Sequence, residues 1–418
     1  MDKDDKQTTE YSGGNPSEAV AVLEPNPEIE KSAQQEVEAV SAEGEVAEQS
    51  APEQSVPAPA KKKRGARIFW NVFLIAVVAA GILSLFGIVK EIDPSSGASL
   101  GAVFKGASPL FICVAVLVIL LIMCFDIAKY CLISKTVTGK IRLATSAKTH
   151  FIGKYYDAVT PFSTGGQPMQ IYHLSTKGIS GGNSTAIVMI RYYSSVLCWV
   201  LMGAALMIYG AVKGVLDTAS GATVLKVTGW IGIGINLFIP VFVTLFLVFP
   251  KLMYKLTYGI VKLGYKVKIV KDVEKTTARA TKVVDDFKNS FKLMANSPVK
   301  LILLILVSFG EVGLTFATPF FIMKAFNCPV EGMIFTVMSL NAFATFGVSF
   351  VPTPGNSGVV EGLGALAFSA FAGATLAWSV LFWRLSVFYL YIFIGIGITV
   401  FDVIAKNVRY KKSKRQKP

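Results

Sequence analysis

Long apolar runs punctuate the chain at 68–89, 109–125, 186–211, 227–249, 301–323 and 376–404. A bilayer core takes about 20 consecutive apolar residues in a helix, and each run is near that length. The pattern predicts an all-α polytopic membrane protein with about six spanning helices.

Two further apolar stretches, 143–180 and 332–373, are broken by proline and glycine: "TPFSTGGQP" from Thr160 to Pro168, and "PTPGNSG" from Pro352 to Gly358. Proline removes a helix donor and glycine admits unusual backbone angles, so neither stretch supports an unbroken spanning helix. If the six runs all span, each broken stretch enters and leaves on one side. They read as re-entrant helical hairpins or as interfacial loops. As hairpins, one from each face between pairs of spanning helices, they give the order of an inverted repeat, in which broken helices meet near the midplane.

Composition agrees with this class. Of 418 residues, 53% are hydrophobic and 16% charged, and the mean hydropathy is +0.54. Residues 1–60 are different: fourteen acidic side chains face only Lys3, Lys6 and Lys31, a net of −11 in a chain of net +14. With one aromatic (Tyr11) and no run able to bury a face, this segment is expected to be a disordered acidic tail. The expected organisation is tail 1–60, membrane domain 61–405 and basic tail 406–418.

Charge orients the spans. Lys61, Lys62, Lys63, Arg64 and Arg67 precede the first run, and Lys129, Lys135, Lys140 and Arg142 follow the second. The segment 251–300 carries twelve basic residues against four acidic ones, and seven more basics lie from Lys406 onward. The positive-inside rule places all of these, and both termini, in the cytoplasm of a cell-membrane protein. Orientation also accounts for the basic pI, because the cations flank spans instead of interleaving with aromatics, and no nucleic-acid binding is expected. Within 251–300, Val273, Thr276, Thr277, Ala280, Val283, Val284, Phe287 and Phe291 recur at helical spacing. That basic amphipathic stretch lies on anionic lipid or is a solvated linker.

Chemistry-bearing residues are few. Cys113, Cys124, Cys131, Cys198 and Cys328 have no CxxC spacing, and His150 and His173 form no zinc motif, so no metal or other cofactor is expected. Charges inside apolar runs cost about 2.5–3.5 kcal/mol on insertion scales, which singles out Arg191, Glu311, Glu361 and Arg384. They are structural ion pairs, or they line a shared polar cavity where arginines receive a lipid phosphate by paired hydrogen bonds. Helix amino-termini after Gly166 and Gly358 could add N–H donors to the same anion. Asp157, with Lys154 and Gln167 nearby, stands in a polar mouth or snorkels to the headgroups.

At these residues the chain resembles the membrane domain of the lysylphosphatidylglycerol synthase family, a flippase-like integral membrane family. The motifs are Thr160, Pro161, Gly165, Gly166, Gln167 and Pro168, and then Pro352, Pro354, Gly355, Gly358 and Glu361, with Asn356 replacing the second glycine of the more usual Pro-Gly-Gly. The similarity covers about 67–406. It implies transfer of aminoacylated or glycosylated lipids between leaflets. It also implies an alternative: a membrane component of lysylphosphatidylglycerol synthesis and cationic-peptide resistance, working with a separately encoded synthase. Thirteen residues follow Ala405, so the fused transferase domain of two-domain members is expected to be absent. The partners implied are anionic or aminoacylated membrane lipids, and an enzyme activity is not favoured.

Overall fold

The computed structural model describes residues 99–401, save 161, 162, 220, 267–271, 350, 352 and 354, together with 79, 83, 86, 87 and 90. The expectations for the acidic tail, for most of the first apolar run and for the basic tail lie outside the described residues. Within them, every regular element is helical.

After a short helix α1 (Leu100–Gly106), the chain forms α2 (Pro109–Thr138). Proline at the first helical position is preset for the helix, and Gly139, at φ 72°, ends it by donating its N–H to the Lys135 carbonyl. The apolar run stops at Phe125, yet the helix does not. Its thirty residues span roughly 45 Å at 1.5 Å each, and the last three turns carry polar residues on a buried face.

α3 (Leu143–Val159) and α4 (Gly166–Ser175) fold back on each other. Asp157 reaches the Gly166 N–H, and Gly153 lies against the Gln170 side chain. The Arg142 guanidinium donates to the Lys177 carbonyl at 2.7 Å, which brings the beginning and end of this hairpin together. The second broken stretch forms α10 (Ile334–Phe346) and α11 (Val359–Ala372). Its ends also meet, with Cys328 Sγ 3.3 Å from Thr375 Oγ1. Both stretches are helical hairpins that begin and end at the same end of the molecule.

Between them lie α5 (Gly181–Val212), α6 (Ala222–Val248), α7 (Pro250–Lys266), α8 (Val273–Ala295) and α9 (Pro298–Ala325). α9 runs antiparallel along α2: Ser108 N–H donates to the Ala325 carbonyl at 2.8 Å, and Gly310 lies beside the Phe125 ring. α12 (Leu376–Arg384) continues through a π-helical turn (Leu385–Tyr389) and as α-helix over 390–401. It doubles back on α11 at Gly373, so the 43-residue apolar stretch Val359–Phe401 is two antiparallel helices.

α10 is apolar on all sides and correspondingly buried. Phe343 and Phe346 are fully enclosed in a core with Phe316, Met323, Phe368 and Trp383. Trp199 stacks on Phe316 with centroids 4.3 Å apart. Gly232 of α6 sits so near the Phe346 carbonyl that a Cβ would approach the oxygen to 1.8 Å, which is why these backbones need a glycine at their crossing. Outside this core the surface is apolar: Leu117, Leu120, Ile231, Phe238, Leu306 and Phe393 are exposed. Such a belt is an aggregation hazard in water and the normal face of a protein in lipid.

The segment 251–300 forms two helices, and part of the second packs on protein. α8 docks on the start of α5: Gly182 lies against the Asp286 side chain, the Tyr193 and Phe291 rings meet at 5.8 Å, and Met294 enters a cluster with Ile187, Ile190 and Leu304. Tyr254 OH donates to Asp285 Oδ1 at 2.5 Å, tying α7 to α8. Val284 and Met294 are buried at this contact, where α5 presents a complementary apolar face, while Val283 stays exposed.

Candidate functional site

Four helices place charged groups in one buried centre. Asp126 and Lys129 stand one turn apart on α2, and both are essentially inaccessible, at 1% and 0% exposure. Lys129 Nζ lies 3.1 Å from Asp126 Oδ1 and 2.7 Å from Glu311 Oε2 on α9, and it donates to Ser195 Oγ on α5 at 2.6 Å. Arg191, also on α5, donates through Nε to Asp126 Oδ1 at 2.7 Å and through Nη2 to Oδ2 at 2.5 Å. From α3, His150 Nδ1 approaches Asp126 Oδ2 at 2.5 Å. Tyr130 lies beneath the Arg191 guanidinium, 5.4 Å from ring centroid to Cζ.

Two carboxylates thus meet two permanent cations and one imidazole. Burying a lone charge is prohibitive, whereas a paired and hydrogen-bonded set is tolerated. Asp126 is the hub, accepting from Arg191 twice and from His150 and forming an ion pair with Lys129. Sequence reasoning missed it, and it read Lys129 as a cytoplasmic flank. The available signal was the spacing: Asp126 and Lys129 are three apart and continue the helical period of the preceding run, which a cut at the first charge discards.

A second centre sits at the later break. Glu361 Oε1 accepts from Arg384 Nε at 2.8 Å and from Tyr389 OH at 3.1 Å, while Oε2 accepts the Gly358 N–H at 2.7 Å. Arg384 Nη2 also donates to the Gly355 carbonyl at 3.1 Å, and the guanidinium stacks 4.3 Å from the Phe388 ring centroid. Glu361 is the third residue of α11, so its bond to Gly358 is half of a capping box. The loop needs unusual backbone angles: Gly355 at φ 57°, Asn356 at φ 56° and Gly358 at φ 92°. Asparagine tolerates the left-handed region, which explains how it stands where the family pattern has glycine.

The two arginines therefore take different carboxylate partners. Arg191 and Glu311 join the first centre, and Glu361 and Arg384 form the second. Helix α3 connects them, its Ala158 packing with Phe388, Tyr389 and Ile392 of the last helix. Asp157 is half-buried, and its Oδ1 accepts the Gly166 N–H at 2.8 Å; Gly165 donates to Thr160 Oγ1 at 2.8 Å. Gln167 is half-buried at the start of α4, and Pro161 and Pro352 lie outside the described residues. At the helix starts expected to offer donors to a lipid anion, one N–H each is already engaged. Asp157 and Glu361 take the Gly166 and Gly358 N–H groups.

A lateral groove of about 490 Å³ runs between α3 and the last helix, lined by Lys148, Phe151, Ile394, Gly397, Ile398 and Phe401. Phe151, which lines it, and Tyr391 pack edge-on against the His150 ring at 4.9 and 5.5 Å. Apolar walls with one lysine suit an acyl chain beneath an anionic headgroup.

Broken helical hairpins, buried ion centres and an apolar outer belt define a multi-pass α-helical membrane protein. The chain belongs to the family described as the lysylphosphatidylglycerol synthase TM region, which it matches over residues 68–395. It is also similar to a UPF0104 membrane protein of Archaeoglobus fulgidus, 26% identical over 276 residues that make up 63% of this chain and 78% of the relative.

Proposed function

We propose that this protein moves phospholipid-type lipids, including anionic, aminoacylated or glycosylated ones, between the leaflets of the cell membrane. The observation that carries the reading is the apolar groove beside Phe151, one ring away from the buried Asp126 centre through His150. An acyl chain occupies the groove while the headgroup phosphate competes with Asp126 for Arg191. The planar guanidinium suits a phosphodiester as well as it suits a carboxylate. The flanking charges support an orientation in which both termini and 251–300 face the cytoplasm.

The test is scrambling in vesicles. Purified protein is reconstituted with a fluorescent phosphatidylglycerol, and dithionite reports the outward-facing fraction. Accelerated exchange is expected; exchange no faster than in empty vesicles rejects the reading.

The family description favours a second reading, in which this chain is the membrane component of a phosphatidylglycerol lysyltransferase that works with a separate catalytic domain. Lysylphosphatidylglycerol made in cells only when this chain and a soluble transferase are co-expressed, without scrambling in vesicles, supports it.

A further inference from the structure

His150 is fully buried, and its two nitrogens differ. Nδ1 is 2.5 Å from Asp126 Oδ2, while Nε2 has no hydrogen-bond partner among the described residues. Asp126 is a bare acceptor, so Nδ1 carries the proton and Nε2 is left with an unshared lone pair in a buried site. Leaving a buried acceptor unsatisfied is unfavourable, so a proton there has a place to bind.

Charged and titratable groups face His150 from every element packed around it. Helix α2 presents Asp126, Lys129 and Tyr130; α5 presents Arg191; α9 presents Glu311; the last helix presents Tyr391. Its own helix carries Lys154 one turn on, the ammonium 5.5 Å from the Tyr391 ring centroid, and Asp157 beyond it. The adjacent α4 carries Tyr172 and His173. Within the linked set, Asp126 and Glu311 balance Lys129 and Arg191, and a neutral His150 completes an electroneutral site.

A singly charged phosphodiester that takes Arg191 unbalances this. Asp126 then keeps Lys129 but loses two guanidinium bonds, and the centre carries one negative charge too many. One added proton restores neutrality, and the unshared lone pair on His150 Nε2 is there to receive it. We propose that His150 is the proton site of this protein: it takes up one proton as a lipid phosphodiester draws Arg191 from Asp126 and gives it up when the anion leaves. The inference rests on the reading that this centre receives a lipid phosphate. Proton and lipid then assist each other's binding by the same factor. Lower pH favours the imidazolium and so tightens anion binding, by up to tenfold per pH unit on the limb where His150 is neutral in the lipid-free protein. The lipid moves with one proton, without net charge.

Calorimetry of the full chain in detergent with dihexanoyl phosphatidylglycerol, in buffers of different ionisation enthalpy, counts protons per lipid bound. Uptake approaching one proton near neutral pH is expected for the parental chain. His150→Asn keeps a short N–H donor toward Asp126 but cannot titrate, so it should bind with no proton uptake and a flat pH dependence. Equal uptake in both proteins, or none in the parental chain when binding is clear, rejects the proton site while leaving translocation standing. No binding by folded parental protein rejects both. Should His150→Asn not fold, ¹⁵N-histidine NMR on His173→Gln decides, because the chain has two histidines and one imidazole remains. Its Nε2 resonance should move to the protonated position on lipid addition, and an unmoved resonance in the lipid-bound protein ends the proposal.

Discussion

Arg191 meets Asp126 through two parallel hydrogen bonds, Nε to Oδ1 at 2.7 Å and Nη2 to Oδ2 at 2.5 Å, across the interface of α5 and α2. This end-to-end fit is available to guanidinium alone. Arg191→Lys keeps the charge and gives up the fork, so the protein should fold while scrambling of a phosphatidylglycerol probe falls at least tenfold. Parental scrambling in well-folded Arg191→Lys protein would separate Arg191 from the transported lipid.

Glu361 and Arg384 form a lock between α11 and α12, with backbone groups of the glycine loop taking the remaining bonds. Removing one member of a buried pair strands its partner at a cost of about 3–5 kcal/mol. Arg384→Gln should lower the yield and melting temperature of the purified protein, and adding Glu361→Gln should recover much of the loss. Normal stability in the single variant would show that the pair does not hold the break together.

Asp157 caps α4 from across the hairpin. Asp157→Ala leaves the Gly166 N–H without its carboxylate and should cost on the order of 1 kcal/mol, read as faster proteolysis within 160–166. Asp157→Asn keeps an acceptor and should protect the hairpin nearly as well.

Gly397 faces open space in the groove, with no heavy atom within 4 Å of where a Cβ would stand. Gly397→Leu should leave melting unchanged and slow scrambling severalfold by occupying the acyl path. Gly355 provides the contrast: a Cβ there would fall 1.9 Å from the Phe388 ring at a positive φ, so Gly355→Ala should lower stability outright.

The proposed orientation is read with single cysteines in a cysteine-free background. Lys282→Cys, at an exposed position of α8, should react with an impermeant maleimide only after cells are opened. Labelling in intact cells at the rate of a known external site reverses the topology.

Runs of apolar residues and the two glycine-proline breaks determine by themselves that this is a helical membrane protein with interrupted hairpins. Hydrophobic length and backbone permissiveness are local properties, written within twenty residues of each other. The spans from α2 onward and both hairpins fall where those patterns put them. Which charges face which is another matter. Asp126 and Glu311 are 185 positions apart and meet the same lysine only because α2 and α9 pack antiparallel. The four charges read as one cavity separate into two centres because α11 folds back on α12 and claims Arg384 for Glu361. Part of the α8 stripe, compatible with lipid or water when read alone, packs on protein because α5 offers a matching face. Partner choice among buried charges is set by helix crossings far apart in the chain, and those were decided by tertiary packing.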